Sequence, residues 1–157
     1  MGEGLMVRSD IADLGDFSVM LIATSSADDA LFRAEAGNIM TADAVLREHT
    51  IRVDDSGKPA RMPSLSLRFR SRLPGGSPLE DHVGDILNQL RAGDARAQEN
   101  FFKNYSPTLS VRVVARGMIV PSVAFSVEII RKLARINCDL DIDVEVTKPN
   151  HYESAVR

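Results

Sequence analysis

Residues 138–146 read Cys138-Asp139-Leu140-Asp141-Ile142-Asp143-Val144-Glu145-Val146. Apolar and acidic side chains alternate throughout. Successive side chains of a strand point to opposite faces, so the stretch predicts a β-strand with one dry face and one acidic face. Asp139, Asp141, Asp143 and Glu145 share the acidic face, and Cys138 joins Leu140 and Ile142 on the other.

Working backwards, Ser126 suits the cap of a helix with Val127, Ile130, Leu133 and Ala134 on its apolar side and Asn137 near its end. Ile119 to Phe125 reads as a strand, and Pro121, which has no N–H for the ladder, puts it at an edge. Strand 119–125, helix 127–136 and strand 138–146 predict a right-handed crossover with the two strands parallel. Leu109 to Arg116 is another strand, with Leu109, Val111, Val113 and Ala115 inward and Arg112 and Arg116 outward. Gly117 turns it into an antiparallel hairpin with 119–125.

Phe17 to Thr24 reads as a buried strand. Ala30 to Ala36 alternates, with Phe32, Ala34 and Ala36 on one face, and the turn residues Ser25 to Asp29 make the two segments a hairpin. Thr41 is suited to cap a short helix through His49, with Val45 and Leu46 facing the core. Residues 52–63 carry a loop composition. Leu65 to Leu73 is a half-buried strand, with Leu65, Leu67 and Phe69 inward and Ser66, Arg68, Arg70 and Arg72 outward. Ser77-Pro78-Leu79-Glu80 matches a capping box with proline at the first helical position. Val83, Ile86, Leu87 and Leu90 follow at helical spacing up to Gly93. Asp94 caps a second helix to about Tyr105, with Phe101 and Phe102 inward.

The expected fold is α+β: one two-layer domain over 17–146, a mixed, mostly antiparallel sheet with helices packed on one face and a C-terminal strand–helix–strand crossover. Residues 1–16 form an N-terminal arm and 147–157 a polar tail. A chain of 157 residues that is 44% hydrophobic is long enough to bury a core without disulfide or metal. The net charge of −3 disfavours nucleic acid as the partner. A single cysteine and an apolar run, Phe17 to Ala23, too short for a membrane span point to the cytoplasm.

The segments Phe32-Arg33-Ala34-Glu35-Ala36-Gly37 with Thr41-Ala42-Asp43-Ala44-Val45-Leu46, then Leu79-Glu80-Asp81-His82-Val83, then Phe125-Ser126-Val127-Glu128-Ile129-Ile130 with Asp139-Leu140-Asp141-Ile142-Asp143-Val144, resemble the bacterial domain-of-unknown-function family 4279. The resemblance spans about residues 30–146 and is best after 108. It brings no established chemistry. It implies small cytoplasmic domains found near toxin genes that look like immunity proteins.

Three constellations carry candidate function. The acids Asp139, Asp141, Asp143 and Glu145 sit roughly 6.5–7 Å apart along a straight strand, too spread to converge on one cation. They suit ion pairing with Arg68, Arg70, Arg72, Arg112 and Arg116, if those strands are neighbours, or a basic partner surface. His82 lies in a first helical turn beside Asp81 and Asp85, where a surface position is expected. Cys138 reads as a small buried hydrophobe. No nucleophile-elbow, Walker or dinucleotide motif is present.

The leading expectation is a non-enzymatic protein-binding domain of the immunity type, without cofactor or metal. It would dock a toxin or effector through Asp139, Asp141, Asp143, Glu145, Arg68, Arg70 and Arg72. A phage-encoded inhibitor of a bacterial defence complex fits the same description. The competing classes are a small enzyme built from His82 and the terminal carboxylates, and a homo-oligomer using the edge near Pro121.

Overall fold

The computed structural model describes residues 15–49, 55–58, 63–116 and 120–147. The elements run β1 (Gly15–Ser26), α1 (Ala30–Ile39), β2 (Ala44–His49), β3 (Ser64–Arg70), α2 (Leu79–Arg91), α3 (Ala95–Asn104), β4 (Thr108–Arg116), α4 (Val127–Arg135) and β5 (Asp139–Thr147). The strands form one five-stranded sheet in the order β2-β3-β1-β4-β5. Only β4 and β5 pair in parallel; the other three ladders are antiparallel. This is the α+β fold with a mixed sheet read from the sequence.

Parity sorts the two faces. Val19, Leu21, Ala23, Leu65, Leu67, Phe69, Leu109, Val111 and Val113 are buried to 2% exposure or less. They join Phe32, Ala36, Ile39, Val83, Ile86, Leu90, Phe101, Phe102, Ile129 and Leu133 from all four helices in one core cluster. The opposite parity of the same strands, with Ser18, Met20, Ile22, Arg70 and Arg112 among them, is exposed or half-buried apart from Ser66, which is buried at 1% exposure. The helices therefore cover one face and leave the other open. Phe32, Phe101 and Tyr105 meet with ring centroids 4.9–5.3 Å apart, joining α1 to α3.

Several local expectations need correction. Residues 30–36 belong to helix α1, not to a strand hairpinned with β1. Asp29 caps α1 by accepting from Phe32 N–H at 2.8 Å, and the buried Phe32, Ala36 and Ile39 recur at helical spacing. Residues 44–49 form strand β2, not a helix capped by Thr41. Ser77 does not cap α2: Pro78 occupies the N-cap with no side-chain bond. Glu80 instead accepts from the backbone N–H of Ser126 and so ties α2 to the cap of α4. Residues 120–126 are not a strand, so the parallel partner of β5 is β4, and the crossover runs β4–α4–β5. The expected Gly117 turn and the start of the 119–125 strand lie outside the described residues. On α4 the buried positions are Ile129 and Leu133, while Val127 and Ile130 face outward.

The boundaries shift slightly as well. Gly15 and Asp16, assigned to the arm, are strand residues of β1, and Thr147, assigned to the tail, ends β5. The rest of the arm and tail, and most of the 52–63 loop, lie outside the described residues.

The dry face of β5 is not dry. Leu140, Ile142, Val144 and Val146 point to the helix side, in register with Leu109, Val111, Val113 and Ala115, yet remain 40–56% exposed. α4 packs against α2, and the helix layer stops short of this edge strand. The turn into β5 is a Schellman motif: Cys138 N–H bonds the carbonyl of Leu133 at 3.1 Å and Asn137 N–H that of Ala134 at 3.0 Å. Asn137 takes the left-handed conformation this requires, with φ 53°.

Gly84 lies inside α2, and a Cβ added there meets nothing within 4 Å. Gly84→Ala is expected to stabilise the fold by about 0.5–1 kcal/mol, because alanine loses less backbone entropy in a helix. A raised urea midpoint at unchanged slope is the expected reading.

Candidate docking surface

The open face is built by alternate residues of all five strands. β2 contributes Val45, Arg47 and His49, and β3 contributes Ser66, Arg68 and Arg70. β1 supplies Ser18, Met20 and Ile22, and β4 supplies Ser110, Arg112 and Val114. β5 supplies Asp139, Asp141, Asp143 and Glu145, all exposed. Strand order separates the charges. The arginines of β2 and β3 lie on one side, and the acids line the far edge with β1 and β4 between. Three strand spacings put Arg68 roughly 14 Å from the acids. That exceeds the screening length at physiological salt, so the two groups do not neutralise each other.

Among the described side chains the expected pairing therefore holds for one arginine only. Arg112, directly beside Asp143 in the ladder, has Nε 3.8 Å from Asp143 and 3.9 Å from Glu145. These are long contacts between exposed groups and contribute little. The side chain of Arg116 lies outside the described residues.

Arg72 leaves the predicted face. It follows β3, and its guanidinium meets Asp85 at 2.6 Å and Asp43 at 3.1 Å. Its backbone N–H also donates to Asp85 at 2.8 Å, and Gln89 Nε2 donates to the same carboxylate at 3.1 Å. The Arg72 hydrogen bonds hold the Asp85 carboxyl below the usual aspartate value of 3.8, outweighing its burial. Arg72 is a clamp between the end of β3 and helix α2. Sequence parity alone groups it with Arg68 and Arg70 on a strand expected to run to Leu73, whereas β3 stops at Arg70.

His82 is also corrected. It is 1% exposed, on the buried side of α2. Nδ1 lies 2.8 Å from Ser71 Oγ, and the ring meets Phe17 edge-on at 6.3 Å. Nε2 is buried with no hydrogen-bond partner among the described residues. His82 is thus on the helix side of the sheet and the β5 acids on the open side. The residues of the small-enzyme reading do not come together. Among the described residues no three His, Cys, Asp or Glu side chains gather to hold a metal ion, and no helix is long and apolar enough to cross a membrane.

Cys138 sits beside the core, and burial pushes its thiol up from 9.0 to about 11. Phe101 and Phe102 are core residues, 1% exposed, and unavailable for stacking on bases.

The sequence reading missed Arg47 and His49, because it placed them on a helix. Arg68 donates from Nε to Ser66 Oγ at 3.0 Å and from Nη2 to His49 Nε2 at 2.8 Å. His49 Nε2 also lies 3.0 Å from Ser66 Oγ. Arginine only donates, so Nε2 is the acceptor in this contact. Arg47, Arg68 and Arg70 border a recess of about 110 Å³ with Met20, Val45 and Asp43. Comparison with protein-family models, curated proteins and solved structures gives no match for this chain.

Asp85→Asn is expected to lower stability at pH 7 and to flatten the acid limb of the stability curve. A depressed folded-state pKa contributes stability well above 3.8 and loses it as pH falls through the lower folded value. Urea unfolding should therefore separate the two proteins at pH 7 and bring them together near pH 2. Cys138 should react with iodoacetamide at pH 8 about 100-fold more slowly than a thiol of pKa 9.0, since the thiolate is the nucleophile.

Proposed function

We propose that this chain is a non-enzymatic docking domain that neutralises a toxin or effector by covering it with the open face of its sheet, as an immunity-type inhibitor does. The observation that carries this reading is the polarised face: Arg47, Arg68 and Arg70 at one side, Asp139, Asp141, Asp143 and Glu145 at the other, with no helix of the described residues above them. Separated charges of opposite sign select a partner of the reverse polarity, fix its orientation and speed its arrival.

The free edge of β5 supports the same reading. Among the described residues its backbone has a ladder partner on one side only, and its apolar row is half exposed, features that suit a partner strand. Symmetric pairing of β5 with a second copy sets acids against acids and is disfavoured. The resemblance to family 4279 points to proteins that look like immunity proteins beside toxin genes. A phage-encoded inhibitor of a defence complex is served by the same surface.

The test is size-exclusion chromatography of the chain taken from its own cells, followed by association kinetics with the co-eluting protein. A heteromeric complex is expected, and Asp141→Arg with Asp143→Arg should slow association about tenfold or more at low salt, with the effect shrinking as salt rises. A chain that elutes alone, or a double variant with unchanged kinetics, removes the open face from the interface.

A further inference from the structure

The recess between β2, β3 and β1 has a charge inventory that the fold does not explain. Among the described residues no carboxylate lies within salt-bridge distance of Arg47, Arg68 or Arg70. Asp43, the one acid among the described residues at the rim, is already engaged by Arg72 at 3.1 Å. Burial, together with the neighbouring charges of Arg47 and Arg70, lowers the pKa of Arg68. Three like charges sharing one depression cost stability unless something offsets them.

The geometry is also built rather than incidental. Ladder register sets Arg68 beside Val45 and beside Ile22, and sets Arg70 beside Met20. Met20 and Val45 thus supply an apolar lining under the guanidinium groups. Ser66, 1% exposed, and His49 hold the Arg68 fork from behind through contacts that carry no negative charge. The guanidinium is oriented without being neutralised.

We infer that this recess takes the carboxylate of a glutamate or aspartate presented by the docked partner, anchoring it at the basic side of the sheet. Two observations choose that occupant. A volume of about 110 Å³ falls well short of the few hundred Å³ that enclose a drug-sized ligand and suits a single small charged group such as a side-chain carboxylate. The Asp43 carboxylate on the rim favours a singly charged carboxylate over a doubly charged phosphate. Arginine forks match the planar carboxylate with paired hydrogen bonds. The inference rests on the docking reading above and names the chemistry of one half of that surface.

The test uses the intact chain, a hexaglutamate peptide as probe, and the arginine Nε–Hε signals in NMR titration. Saturable shifts confined to Arg47, Arg68 and Arg70 are expected, with affinity at least about tenfold weaker in Arg47→Gln/Arg70→Gln. Arg68 is left in place because it also braces Ser66 and His49. Absence of saturable shifts, or equal affinity in the double variant, overturns the inference. So does inorganic phosphate binding as tightly as the peptide at matched ionic strength, which would make the recess a free oxyanion site. The two readings fail separately. Peptide binding at the arginines without any heteromeric complex sinks the docking reading alone. A native complex with affinity unaffected by Arg47→Gln/Arg70→Gln sinks the anchor alone.

Discussion

The structure depends on β1 serving two antiparallel partners at once. Its residues Met20 to Ser26 pair with β3, and Gly15 to Ile22 pair with β4. Where the two ladders overlap, both backbone edges of the strand are consumed, and its position is fixed from both sides. The side-chain period of two then decides everything above and below the sheet. A slip of one residue would expel Val19, Leu21 and Ala23 from the core and push Met20 and Ile22 under the helices. The helix layer and the open charged face are two readings of one register.

From that constraint the asymmetry of the edges follows. Among the described strands β2 and β5 each have a single neighbour, and they meet different surroundings. The β2 edge is short and its outer residues join the arginines of β3. The β5 edge is long, parallel to its neighbour and beyond the reach of the helix layer. The protein thus separates its charges by strand order, with no long-range pairing needed. Charge on an outer strand also discourages edge-to-edge self-association, so the acids of β5 have a structural use beside any partner.

The strands β1, β3, β4 and β5 were legible because β-branched and apolar residues alternate in them for long enough to exclude a helix. Residues 30–36 and 44–49 were assigned the wrong way round for a physical reason. Phe32, Ala34 and Ala36 fit a period of two, while Phe32, Ala36 and Ile39 fit a helix, and seven residues cannot separate the two. The arbiter was Asp29, whose carboxylate caps α1. β2 has too few buried residues to display its alternation, since an edge strand is covered on less of its surface. Burial itself was legible only where the neighbour was. Leu140 and Ile142 have the apolar parity, but nothing local says that no helix lies above them. His82 shows the converse: a polar residue in a helix turn between two aspartates looks exposed, and the angle of α2 on the sheet buries it. Of the candidate surface, the acidic stripe, Arg68 and Arg70 were readable from parity. Arg47 and His49 were not, because their strand was not.

The pairing of β1 with β4 joins segments about 100 residues apart in the chain, with Gly15 opposite Ala115. A ribosome adds about 5–20 residues each second. After β3 has emerged, the nascent sheet must wait several seconds for the segment that covers the second edge of its middle strand. During that interval β1 and β3 form a sheet whose central position is still an outer one, with Val19 and Leu21 lacking their final neighbours. Late closure by sequence-distant contacts makes this a slow-folding topology relative to a helical bundle of equal length. The vulnerable moment in the life of the protein is therefore its synthesis, when the future interior of the sheet is briefly its border.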